Sequence, residues 1–432
     1  MIIVRGDALA TVANRGFAMP EIPSHPGAKP MRTLLLSSVL GAAVAVAGTA
    51  VPAGAAVPAA GPAVPAAVPA AGPAAHPAPA RHGAPPKEVY GGAWQSGHVQ
   101  GIAVDRRRGF MYFSFTDLLV KTDMSGRPIG SVTGFTGHLG DLDFNPADGR
   151  VYGSLEYKEA RSFYIAVFDV DRIDRMGMNA EDAGVVSTVY LKEVVADYAA
   201  DMNGDGVFDG NTGATPDHRY GCSGIDGVAF GPAFGKRGGP QRLTVAYGIY
   251  SNTGRSDNDY QVLLQYDIRS WKRYEKPLTQ QLPHTSGPSG TDGKYFVYTG
   301  NTNYGVQNLE YAPDSGTWLM AAYKGAKPGF PNYSLFAVDA KSRPRLQTLK
   351  GQPTAEKGEV LPLSPRGELD RATGVRGWSG ASGQYGLVSV GHGLYYVVQS
   401  AQVTENGVTK QTARAQLHRW TAQTPNPFSR IS

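Results

Sequence analysis

The octapeptide HVQGIAVD at His98–Asp105 comes back forty residues later as HLGDLDFN at His138–Asn145. Each copy is a polar turn carrying a histidine, then a short strand of alternating apolar residues. A Gly-containing turn and a second strand follow each: RRRGFMYFSFT after the first, PADGRVYGSLEY after the second. Fainter copies stand at Gly224–Gly231 (GIDGVAFG), Gly305–Ala312 (GVQNLEYA) and Gly383–Val390 (GQYGLVSV). A unit this small cannot bury its apolar faces alone. It must stack on its neighbours, so the period constrains the whole fold.

Read from His98 onward, the chain divides into five such units. The first holds GIAVD, FMYFSFT, LLVKTD and IGSVTG. The second holds DLDFN, VYGSLEYK and FYIAVFDVD, and runs on into the segment around Val185–Glu193. The third holds GVAFG, LTVAYGIYS and YQVLLQYDI, the fourth NLEYA, TWLMAAYKG and YSLFAVDA, and the fifth GLVSV, GLYYVVQSA and AQLHRWTA. Short strands separated by Gly, Asn and Asp corners predict an all-β repeat architecture. Only Asp169–Met178 and Tyr190–Ala200 read as helical turns. Five units predict a five-bladed β-propeller; KYFVYT at Lys294–Thr299 is left unassigned, which keeps six or seven blades open. A strand near Glu88–Ala93 is expected to pair with the last unit and close the ring.

The N-terminal region is of another kind. Residues 33–50 are apolar and uncharged, preceded by Lys29 and Arg32 and followed by Ala53-Gly54-Ala55. That is the n-region, h-region and A-x-A site of a secretory signal, with residues 1–30 read as an extension ahead of a start at Met31. A single membrane anchor is the rival. Residues 56–87, almost entirely Ala, Pro and Gly, read as a disordered linker that cannot bury enough surface to offset its ordering entropy. His76 and His82 within it are incidental. Residues 88–432 are expected to form one domain, a monomer secreted to the extracellular space and free of the membrane after signal cleavage.

Charge and cysteine content exclude several classes. The formal charge is +5, part of it in the leader, and Lys and Arg are scattered rather than gathered in a stripe, which argues against nucleic acid as a partner. Cys222 is the single cysteine, so an exported form has no internal disulfide and rests on its packed sheets. As a nucleophile beside His218 it is disfavoured, since a lone Cys is usually a small buried hydrophobe.

The units resemble those of secreted β-propellers, a superfamily that includes glycan-processing enzymes and sugar- or protein-binding proteins. The resemblance covers nearly all of the chain beyond the linker and lies in blade rhythm; WD dipeptides, kelch double glycines and sialidase Asp-boxes are absent. It implies that the turn before each innermost strand opens on one end of a central channel. Aligning the units sets His98 level with His138, Gln100 with Asp226 and Gln307, and Asp141 with Asn308. Asp143 and Glu310 follow inside the strands, where they line a wet channel or pair across blades, since a buried carboxylate is costly alone.

Two chemistries, and one non-enzymatic role, fit these residue types. Hydrolysis of a glycosidic bond takes two carboxylates across the bond, for which Asp141, Asp226, Glu156 and Glu310 are candidates. Elimination from a uronate-containing glycan takes a base such as His or Tyr and a cation to neutralise the sugar carboxylate. His98 and His138 suit the first need, Arg376 the second, and Trp378 a sugar platform. Gln100, Gln307 and Asn308 are candidate substrate contacts; Tyr157, Tyr250 and Tyr323 read chiefly as packing. The alternative is a propeller that binds an extracellular glycan or protein without turnover.

One local motif stands apart. DMNGDGVFD at Asp201–Asp209 places oxygen donors at positions one, three, five and nine, Gly at six and a carbonyl at seven, the spacing with which a chain wraps Ca²⁺. The ligands would be Asp201, Asn203, Asp205, Val207 through its carbonyl, and Asp209, with Asp217 completing the set. Thr212 stands where an EF-hand has Glu.

Overall fold

The computed structural model describes residues 84–236 and 238–432; the leader and all but the last residues of the linker lie outside them. From Val99 the chain lays down five antiparallel sheets in sequence order. Blade 1 is built from Val99–Asp105, Phe110–Phe115, Leu118–Asp123 and Pro128–Thr133. Blade 2 uses His138–Asn145, Arg150–Tyr157, Ser162–Phe168 and Val186–Tyr190; blade 3 uses Cys222–Gly231, Arg242–Ile249, Tyr260–Tyr266 and Gly293–Tyr298. The unassigned KYFVYT is thus the fourth strand of blade 3. Blade 4 has Asn303–Ala312, Thr317–Tyr323 and Leu335–Asp339, and Trp378 bridges to its outer edge at Leu335. Blade 5 has Leu387–Gly391, Leu394–Glu405 and Val408–Trp420, and takes its fourth strand from the start of the propeller, Glu88–Trp94. This is a five-bladed β-propeller.

The five blades are held by five apolar layers, one between each adjacent pair. Ala103, Tyr112 and Leu119 of blade 1 meet Leu139, Leu142 and Val151 of blade 2. Similar layers join blades 2 and 3, 3 and 4, and 4 and 5. The fifth brings Val99, Ile102 and Phe113 of blade 1 against Val388, Tyr396 and Val398 of blade 5, so the ring is closed. Successive side chains of a strand point to opposite faces. Tyr112 therefore packs toward blade 2 and its neighbours Met111 and Phe113 toward blade 5. Both faces are covered, which is why inner strands such as VQGIAVD are buried at every position. Burying an aromatic such as Phe113 fully contributes about 2–3 kcal/mol.

Departures from the repeat lie outside the inner strands. Lys192–Tyr198 is an α-helix, as read, whereas Asp169–Met178 forms turns. Lys276–Pro277 leaves blade 3 to edge blade 2, and Arg345–Thr348 with Lys357–Val360 extends blade 3 from the chain of blade 4.

Two buried polar side chains of the inner strands tie the blades together. Asp141 accepts its own Leu142 N–H at 2.9 Å through Oδ1; its Oδ2 takes Val228 N–H of blade 3 and Leu309 N–H of blade 4, each at 3.0 Å. Asn308 donates to the Gln100 carbonyl of blade 1 at 2.7 Å and accepts Leu387 N–H of blade 5 at 3.2 Å. Two side chains thereby tie all five blades. Glycine makes room for them: a Cβ on Gly101 would lie 2.6 Å from the Asp141 Cα.

This corrects two expectations. Asp141 and Asn308 are level with one another as aligned, but both are fully buried beneath the mouth with their hydrogen bonds directed to backbone. They form the hub and leave the set of substrate-facing residues.

Candidate functional site

Inner strands run away from one end of the ring, so the turns before them gather there with the ends of the second strands. His98 precedes the inner strand of blade 1 and His138 opens that of blade 2. They sit close enough that each imidazolium would disfavour the other; burial first, and His138 second, hold the His98 pKa below the ordinary histidine value. Glu156 reaches the same place from the second strand of blade 2, Asp226 and Gln307 from the inner strands of blades 3 and 4.

The polar groups form a connected set. His138 Nδ1 lies 3.6 Å from Glu156 Oε1 and 3.9 Å from Asp226 Oδ1, and it is buried without a hydrogen bond. Glu156 Oε1 receives the Lys158 ammonium at 3.0 Å, and its Oε2 accepts the Ile225 N–H at 3.0 Å. A Cβ on Gly224 would lie 2.0 Å from that Oε2, so only glycine lets blade 3 approach the carboxylate. Asp226 Oδ2 accepts Gln307 Nε2 at 2.9 Å. Across the mouth, the Tyr323 hydroxyl and His98 Nε2 are 3.1 Å apart. Tyr385 meets His98 edge-on at 5.6 Å and Tyr323 at 5.7 Å.

Burial is the largest influence on each titratable group here. It pushes Asp226 well above the usual carboxylate range, Glu156 adding to the shift while Lys158 and Gln307 oppose it. It also lowers His138, which Glu156 partly offsets and Lys158 reinforces. Burial works against the charge of Lys158 too, but Glu156 and Asp226 outweigh it and keep the ammonium. Burial thus disfavours charge on His98, His138 and Asp226, while the Lys158 ammonium stands 3.0 Å from Glu156.

Of the residues singled out in the sequence, His98, His138, Asp226, Gln307 and Glu156 converge here, and Gln100 borders them with its amide on Thr116 Oγ1 at 3.2 Å. Trp378 does not. It is fully buried between blades 4 and 5, its indole nitrogen donating to Ala422, so it offers no ring face to a sugar. Arg376 lies beside it on the outer side of blade 4, in a two-residue strand paired with Glu368–Leu369, its guanidinium on the Gly367 carbonyl at 3.3 Å. It is no clamp for a ligand at the mouth. Asp143 and Glu310 sit lower in the channel and latch onto Phe230 N–H and Ser389 N–H of the next blades. Tyr157 bonds Gln280 and Tyr250 bonds Asn211, whereas Tyr323 belongs to the site. Cys222 is buried, and burial pushes its thiol pKa up, which makes it inert. Lys158 and Tyr385 were missed. Tyr385 occupies the repeat position shared by Gln100, Asp226 and Gln307, a signal the repeat itself contains.

The Asp201–Asp209 loop is turned in on itself. Asp201 accepts the N–H groups of Gly204, Asp205 and Gly206, and Asp205 those of Val207 and the Asn203 amide. Asp217 accepts Met202 N–H at 3.0 Å and Asp209 N–H at 3.4 Å. Among the described residues no three His, Cys, Asp or Glu side chains are gathered closely enough to hold a metal ion. His218 closes the loop from within, its two ring nitrogens 2.6 Å and 2.9 Å from the carbonyls of Tyr198 and Gly210.

No family model matches the chain, and no curated protein matches it. Among solved structures it is similar to the Dos1 propeller, at 10% identity over 78% of this chain and 62% of that one, with a TM-score of 0.31. It is similar also to hydrazine synthase of Kuenenia stuttgartiensis (12% identity, 73% and 58% covered, TM-score 0.27). A protein of unknown function from Bacteroides caccae gives 10% identity, 65% and 99% covered, and a TM-score of 0.26. The chain spans less than two thirds of the first two. At these values no chemistry is carried across.

Proposed function

We propose that this propeller is an exported enzyme that cleaves a uronate-containing extracellular polysaccharide by β-elimination at the channel mouth. The observation that carries the reading is a base, a cation and an acid gathered at one mouth. His98, whose charged form burial disfavours, pairs with Tyr323; beside them stand the Lys158 ammonium and Asp226, whose carboxyl burial pushes well up and so toward its proton-donating form. Elimination needs all three. The His98–Tyr323 pair takes the proton from the sugar carbon next to the carboxylate. That C–H electron pair forms the new C=C bond, the C–O bond to the leaving sugar breaks, and the leaving oxygen takes a proton from the Asp226 carboxyl. Lys158 supplies the positive charge toward the sugar carboxylate while negative charge builds on it.

Hydrolysis is the second reading, with Asp226 as acid and Glu156 opposite. Against it stands the state of Glu156, buried, with one oxygen on Lys158 and the other on a backbone N–H. A nucleophile, or a base for water, needs an oxygen free to act. The acidic loop supports a separate proposal. Asp201, Asn203, Asp205, the Val207 carbonyl and Asp209 are a hard-oxygen donor set of the kind Ca²⁺ takes, and a bound ion would brace the segment leading to Asp226.

The test is a screen of the purified protein against uronate-rich and neutral polysaccharides. Elimination yields ultraviolet-absorbing unsaturated ends; new reducing ends without that absorbance mean hydrolysis; binding without either means a non-enzymatic module. His98→Ala and Asp226→Asn should melt close to wild type yet lose about 10²–10⁴ in rate, the usual loss on removing a general acid or base. Variants that melt far lower but keep full turnover would sink the assignment.

A further inference from the structure

Tyr304 stands at the mouth end of the inner strand of blade 4 with φ +65, in the left-handed region, followed by Gly305 at φ +78. That conformation is costly for an L side chain, and such residues persist where something else requires them. Packing does not require this one: the side chain is 54% exposed. What fixes it is the site. The two amide hydrogens of Gln307 go to the Tyr304 carbonyl at 3.0 Å and to Asp226 Oδ2 at 2.9 Å, so the bend that raises Tyr304 is coupled to the acid of the mouth. Its ring meets Tyr323 at 6.4 Å and 82°, and Tyr323 in turn bonds His98. A perpendicular contact uses one ring edge and one ring face, so an exposed ring so held keeps a face open to solvent.

We propose that Tyr304 is the stacking platform of a sugar subsite at the rim of the mouth, its open face taking the apolar C–H face of a pyranose ring adjacent to the reacting residue. The proposal rests on the glycan reading given above and names the residue that would replace Trp378 in it. Tyrosine suits this role because it offers a large rigid surface that loses little conformational entropy on binding. Gly or Asn, which accept positive φ most readily, would hold the same bend at less strain. What tyrosine adds at this position is the ring.

The experiment is affinity electrophoresis in native gels cast with polygalacturonate, alginate, hyaluronan or neutral xylan, alongside KM and kcat on any polymer that is cleaved. Tyr304→Phe should migrate like wild type. Tyr304→Ala and Tyr304→Gly should bind about tenfold more weakly or worse, the usual cost of truncating an aromatic anchor, with the loss falling on KM. Tyr304→Gly should melt at or above the wild-type temperature, since glycine relieves the strain, which separates lost binding from lost folding. Wild type retarded by a glycan while Tyr304→Ala is retarded equally would overturn the platform and leave the glycan reading standing. Tyr304→Gly melting well below wild type would overturn it too, by giving the ring a structural role. Wild type retarded by none of the four polymers would overturn both readings together.

Discussion

Removing the Asp141 carboxylate should loosen the ring without touching its chemistry. Asp141→Ala leaves the N–H groups of Leu142, Val228 and Leu309 without their acceptor. An orphaned buried donor costs about 1–3 kcal/mol, and water drawn into the void recovers part, so the three together come to about 3–6 kcal/mol. The entropy of unfolding is about 2.1 cal/mol/K per residue, or roughly 0.7 kcal/mol/K for a domain of this length, which converts the loss to a fall in Tm of about 4–8 °C. Asp141→Asn, which keeps the volume but turns an NH₂ toward one set of donors, should fall less far. Calorimetry on both variants, with Asp226→Asn as the control from the mouth, measures the effect. Asp141→Ala melting with wild type while losing any activity found at the mouth would return the residue to the candidate site and refute the hub.

Two further outcomes follow from the channel and the acidic loop. Burial pushes the Asp143 carboxyl up to about 7 and Glu310 beside it well above its usual range. A carboxyl whose pKa is raised on folding stabilises the fold fully below its unfolded value near 3.9, and loses that contribution as pH rises through about 7. The protein should therefore be more stable to urea at pH 5 than at pH 8, by up to about 2.7 kcal/mol from Asp143, and Asp143→Asn should flatten the difference; equal stability of the wild type at both pH values would contradict this. For the acidic loop, calcium at a hundredfold excess over Kd should stabilise by about 2.7 kcal/mol, so chelator should lower Tm and Asp205→Ala should abolish the response. Identical melts of wild type with calcium and with chelator would reduce the loop to a turn.

The repeat made the ring and half of the mouth legible. Once HVQGIAVD is set against HLGDLDFN, register places His98, His138, Asp226 and Gln307 at one end, because each unit enters its inner strand from the same end of the ring. Depth was harder. Asp141 and Asn308 lie one residue beyond the Gln100–Asp226–Gln307 level, and that step takes a side chain from the mouth to the hub. Arg376 and Trp378 were misplaced for a different reason. Residues 341–380 leave the repeat to edge blades 3 and 4, so nearness in sequence to the fifth unit says nothing about nearness to the channel. Lys158 carries no signal of its own; only its ion pair with Glu156 reveals it.

The strand that closes the ring also sets which way the protein faces. Glu88–Trp94 runs toward the mouth, so the chain joins the propeller at the opposite end, where the Lys87 carbonyl accepts the Leu417 N–H. The Leu417 carbonyl in turn accepts the Ile431 N–H, so the last residues of the chain arrive at the same spot. Anything fused or anchored at either end is therefore attached to the back of the ring. A surface coupled to the residues next to Glu88, or to Arg430–Ser432, meets the end of the ring opposite the mouth.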